Sequence, residues 1–151
     1  MWVNSDFSDL LSLFNDHHVK YLVIGGYAVI RYTEPRYTKD LDLFVATDAE
    51  NARAVFAALR EFGAPLAGLT EKDFAEDGYF YQMGVPPIRV DIMMGVPGVV
   101  FPDAWERREE VELGGLRVPF ISRRDLITSK DAAGRPQDVI DADALRRSDP
   151  G

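Results

Sequence analysis

Phe7, Leu10, Leu11 and Phe14 recur at i, i+3, i+4 and i+7 behind Ser5 and Asp6, so the chain opens on an amphipathic helix over residues 6–16, with cap candidates just ahead of it. Val19 to Ile24 is almost wholly apolar, as a strand buried on both faces requires, and runs into Gly25 and Gly26. A short helix is expected over 27–32. Pro35 ends it, and Leu41 to Val45 reads as a second strand. Thr47 and Glu50 have capping-box spacing, and Ala52, Val55, Phe56, Leu59 and Phe62 give the stripe of a helix that stops at Gly63. Two further strands over 79–83 and 88–93, joined through Gly84, Val85, Pro86 and Pro87, read as a hairpin. One or two helical turns are expected over 102–110, then a shorter hairpin whose strands, 111–113 and 116–118, flank Gly114 and Gly115. Ser122 with Asp125 caps a helix through 130–133, Gly134 ends it, and Pro136 starts the last one. This order predicts an α/β (α+β) fold, a mixed β-sheet flanked by helices, in a single domain over 1–151 with a helical tail from about 122.

Composition narrows the chemistry. The 151 residues include no cysteine, which removes disulfides, thiolate metal sites and thiol nucleophiles and leaves oxygen ligands; a reducing, cytoplasmic compartment is the default expectation. The N-terminus does not read as a signal peptide, and no stretch approaches membrane-spanning length. A formal charge of -8 argues against broad binding to nucleic acid, although a local basic cleft around Arg123, Arg124 and Lys130 stays open.

Within Lys39-Asp40-Leu41-Asp42-Leu43, the period of two puts both carboxylates on one strand face and both leucines on the other. Like charges side by side repel, and a divalent cation with its preference for oxygen ligands would reconcile them; a solvated strand face is the plainer alternative. Arg89-Val90-Asp91-Ile92-Met93 repeats the pattern with one acid. Asp91 joins Asp40 and Asp42 if its strand pairs with theirs and faces the same way, whereas a simple ion pair to Arg89 would satisfy it otherwise. Gly25-Gly26, between a strand and a helix start, could offer backbone amides to a phosphate. The Gly-x-Gly-x-x-Gly and Walker patterns are both missing. His17 and His18 read as helix-end residues, not ligands.

The ordered set Gly25-Gly26, Asp40-x-Asp42 and Asp91 resembles the polymerase-β-type nucleotidyltransferases. Gly25-Gly26-x-Ala28, Arg36-x-x-Lys39-Asp40-Leu41-Asp42 and a tail from Leu126 through Lys130, Arg135, Asp138 and Asp141 are most similar to the small bacterial proteins related to AbiEii-type toxins and lincosamide nucleotidyltransferases. The resemblance implies Mg²⁺ or Mn²⁺ on Asp40, Asp42 and Asp91 as the catalytic triad. It implies nucleoside triphosphate on Gly25, Gly26, Lys39 and Lys130, with Arg135, Asp138 and Asp141 bracing the tail. It implies transfer of a nucleoside monophosphate to an acceptor that could be a tRNA 3′ end, a protein side chain or a small hydroxylated molecule, within a toxin-antitoxin system or outside one. A partner protein or a second copy would complete so small a site. Gly26 in place of the usual serine, and Val29-Ile30 in place of Arg-Gly, depart from the toxin-neutralising minimal subgroup. A nucleotide-binding or antitoxin-like module with little turnover, and an acidic domain with no ligand, are the competing readings.

Overall fold

The computed structural model describes residues 5–35, 38, 40–85 and 88–149. Among these, α1 (Ser5–Asp16), β1 (Tyr21–Ile24), α2 (Gly25–Tyr32), β2 (Asp40–Val45) and α3 (Ala49–Phe62) lead into the hairpin β3 (Phe80–Val85) and β4 (Ile88–Met93). Then come α4 (Phe101–Glu106), the hairpin β5 (Glu109–Leu113) and β6 (Leu116–Phe120), and the helices α5 (Arg123–Ala133) and α6 (Pro136–Arg147). Prolines 86 and 87 of the expected first hairpin turn, and Arg36 and Lys39 of the motif, lie outside the described residues.

The strands form one six-stranded mixed sheet in the order β3-β4-β2-β1-β6-β5. β2 runs parallel to β4 and antiparallel to β1, and β1 runs parallel to β6. β1 is apolar on both faces, with Tyr21, Leu22 and Val23 fully buried, and β2 buries Leu41 and Leu43 on the face away from its acids. On the α1 side, Phe7, Leu10, Leu11 and Phe14, the four positions marked by the helical period, all enter the core. Gly114 and Gly115 both take positive φ, 57° and 85°, the conformation a two-residue turn needs to match the twist of β5 and β6.

Two local expectations are corrected. α3 is capped by Asp48, whose carboxylate accepts from the Asn51 amide at 3.1 Å, and not by Thr47. The carboxylate one residue on brings a full negative charge to the helix start. The shift frees Asn51 to turn inward, where its side chain is buried and bonds the Lys20 amide and carbonyl and the Ala46 carbonyl, fastening α3 to the ends of β1 and β2. The stretch after α3, expected only as turns, holds a 3₁₀ turn over Glu71–Ala75 that delivers Phe74 to the core beneath Phe56 and Tyr81. No described helix is long and apolar enough to cross a membrane.

Candidate active site

The parallel pairing of β2 with β4 sets Asp42 directly opposite Asp91 and Asp40 opposite Arg89. On the far side of β4, antiparallel β3 sets Gln82 opposite Asp91. The period of two therefore gathers Asp40, Asp42, Asp91, Arg89 and Gln82 on one face of three adjacent strands. The two readings left open for Asp91 hold together: it stands beside the pair, and Arg89 also bonds it. The Gln82 amide donates to Asp91 Oδ1 at 3.0 Å. The Arg89 guanidinium lies 2.9 Å from Asp40 Oδ2 and 3.5 Å from Asp91 Oδ2.

Asp42 is the most strained of these charges. Burial, then the facing Asp91 carboxylate and the neighbouring Asp40, push its pKa up to about 7, with Arg89 opposing them. Asp40 keeps one buried oxygen, Oδ1, without a hydrogen-bond partner among the described residues. Hard oxygen donors that repel one another, one of them unsatisfied, fit a divalent cation. Among the described residues no three His, Asp or Glu side chains form a ready-made metal cage.

The glycines follow from the same register. Ile24 at the end of β1 pairs with Asp42, so the chain must leave the strand against that carboxylate. α2 begins at Gly25, two residues before the expected start, and both glycines belong to its first turn with no side-chain cap on Ile24. Their amides are thus among the unpaired donors of a helix start. Gly25 has φ +69°, and a Cβ there would stand 2.1 Å from Asp42 Oδ2. A Cβ on Gly26 would stand 2.5 Å from Thr38 Oγ1. At Gly25, where φ is positive as well, only glycine allows this approach.

α5 and α6 close the other side. A cavity of about 600 Å³ is lined by Gly25, the three carboxylates and Arg89 on one wall and by Lys130 on the other. Lys130 is nearly buried, its ammonium 3.3 Å from Asp138 and 3.1 Å from Asp141. Arg135 on the surface bonds Asp138 at 2.7 Å and, with Lys130, holds that carboxylate below its ordinary pKa. The expected bracing of the tail is thus a charge cluster around Lys130 itself. The Asp138 contribution is present above the ordinary carboxylate pKa and fades as pH falls below it. Lys130→Met, which removes the ammonium shared by two buried acids and leaves Asp138 with Arg135 and Asp141 with Gln137, is expected to destabilise the protein by about 3 kcal/mol in urea unfolding. Of Arg123, Arg124 and Lys130, the residues of the expected local basic cleft, Lys130 alone lines this cavity. Arg123 turns to the C-terminal end of α6, bonding the Leu145 carbonyl and Ser148 Oγ and covering the Tyr32 ring. His17 pairs with Glu61 on α3, at a helix end as expected.

Gln82 was not singled out from sequence. The one available signal was a polar residue at an even position between the apolar Tyr81 and Met83.

A family profile described as "Nucleotidyltransferase of unknown function (DUF6036)" matches residues 4–146. The chain belongs to the DUF6036 nucleotidyltransferase family. No curated protein matches it in sequence. Among solved structures, the DUF6036 chain is similar in fold to the lincosamide antibiotic adenylyltransferase LnuA bound to lincomycin, with a TM-score of 0.63 and 18% identity over 97% of this chain and 98% of that one. It is similar to a Thermotoga maritima protein assigned to the nucleotidyltransferases, with a TM-score of 0.58 and 18% identity over 93% of this chain and 88% of that one. ANT(2″)-Ia in complex with adenylyl-2″-tobramycin aligns with a TM-score of 0.62 and 14% identity over 95% of this chain and 87% of that one. At these identities the likeness is one of fold.

Proposed function

We propose that this nucleotidyltransferase moves a nucleoside monophosphate from a nucleoside triphosphate to a hydroxyl of a small acceptor, with Asp40, Asp42 and Asp91 holding Mg²⁺ or Mn²⁺. The observation that carries the reading is the Asp42–Asp91 register beside the Gly25 helix start. A bound divalent ion would neutralise triphosphate charge and lower the barrier for the attacking oxygen. Gly25 and Gly26 amides would take phosphate oxygens, with Lys39 and Lys130 adding positive charge. The acceptor oxygen bonds to the α-phosphorus, the bond to the β-phosphate oxygen breaks, pyrophosphate leaves, and the acceptor proton passes to a carboxylate of the triad, a role we assign to Asp91. Catalysis of this kind is mostly positioning and charge balance.

A small hydroxylated acceptor is favoured over nucleic acid by the net charge of -8 and by a cavity lining without Arg123 or Arg124. The fold neighbours solved with lincomycin and with adenylyl-2″-tobramycin point the same way. We read the chain as one working unit. A toxin-antitoxin setting rests on the Arg36 to Asp42 motif and the tail.

The test is release of pyrophosphate from each labelled nucleoside triphosphate with Mg²⁺, offered a panel of hydroxylated small molecules, total tRNA and cell extract. Label transferred to a small molecule supports the proposal. Transfer to tRNA or protein would redirect the acceptor, and nucleotide binding with no pyrophosphate from any combination would leave the binding module.

A further inference from the structure

Arg89 differs from Arg107, a more exposed arginine that also faces a buried carboxylate. Arg107 grips Asp125 with both a terminal nitrogen and Nε, through contacts of 2.8, 2.9 and 3.2 Å, the fork geometry of a structural ion pair. Arg89 reaches Asp40 and Asp91 through a single terminal nitrogen, at 2.9 and 3.5 Å, and its buried Nε has no partner among the described residues. It is thus a cation between two carboxylates that is weakly fixed in direction. Asp91 meanwhile is held from its other oxygen by Gln82, so the carboxylate would keep its place without the guanidinium.

We propose that Arg89 is a displaceable internal counter-cation. It balances Asp40 and Asp91 in the metal-free protein, yields them to an incoming divalent ion, and turns its charge to the polyphosphate that enters the same cavity. The inference rests on the metal reading of the triad. A displaced guanidinium left beside a divalent ion is costly unless an anion receives it, so metal and polyphosphate must favour one another's binding. A merely structural arginine would shift each affinity but not their coupling.

The experiment is calorimetric titration of the full chain with Mn²⁺ alone, with inorganic triphosphate alone, and with the preformed complex, corrected for Mn²⁺–triphosphate association in the same buffer. The wild-type protein is expected to show a coupling of about tenfold or more. In Arg89→Met, Mn²⁺ alone should bind about tenfold more tightly, and the coupling should shrink to within about twofold. Arg89→Gln carries the same test if the methionine variant does not fold. Coupling absent from wild type, or unchanged in the variants, overturns the inference while leaving the metal site standing. Wild-type Mn²⁺ binding no stronger than that of Asp42→Asn overturns the metal reading itself.

Discussion

Asp42→Asn is expected to lower nucleotide transfer by about 10³-fold while raising the stability of the metal-free protein at alkaline pH. The amide keeps the size of the carboxylate but removes the charge that faces Asp91 and Asp40 across β2 and β4. The same charge that would hold a cation is a burden without one. Burial and Asp91 raise the Asp42 pKa to about 7, well above the ordinary carboxylate range, so over that window the folded protein binds a proton that the unfolded chain has released. Stability of the wild-type protein in EDTA should therefore fall as pH rises from about 4 to about 7, and the variant should lack this slope. At pH 4 the two should melt together; at pH 8 the variant should melt roughly 5 °C higher. Transfer at the parent rate would dismiss the triad. A lower melting temperature at pH 8 would dismiss the repulsion.

Gly25→Ala carries the second large effect, because it acts on the backbone and on Asp42 at once. A methyl group 2.1 Å from Asp42 Oδ2 must drive the carboxylate away, and alanine at φ +69° is strained besides. Misplacement of a reacting group by about 1 Å can cost roughly 100-fold in rate, so a loss of about that size is expected with a destabilisation of about 1–3 kcal/mol. Gly63→Ala is the control. Its φ of +91° imposes strain of about 1 kcal/mol, but no atom lies within 4 Å of the added carbon, so transfer should be unchanged. Pyrophosphate release and thermal melting, read together on both variants, separate the site from the strain. Equal rates in the two variants would mean that contact between Gly25 and Asp42 is irrelevant to the reaction.

Much of the fold was legible because periodicity is local. The 3.6-residue stripe of α1, the alternation in β2, and the glycine ends of α3 and α5 are written in adjacent residues, and each element lies within a few positions of its expected place. The alternation also fixed that Asp40 and Asp42 share a face before any neighbour was known. Cap placement was less legible, since Thr47 and Asp48 are both good caps and the choice fell to Asn51, whose side-chain amide has partners just before β1 and just after β2.

What the sequence determined by itself was the set of elements, the acidic face of β2 and the glycines that follow β1. Tertiary structure alone decided that β4 lies beside β2 in the register pairing Asp42 with Asp91, that Gln82 and Arg89 flank the acids, and that Lys130 is held between Asp138 and Asp141. The reason is physical: side-chain direction along a strand or helix follows from neighbouring residues. Strand order and register instead come from burying the whole sheet at once, and no short stretch of chain contains that information.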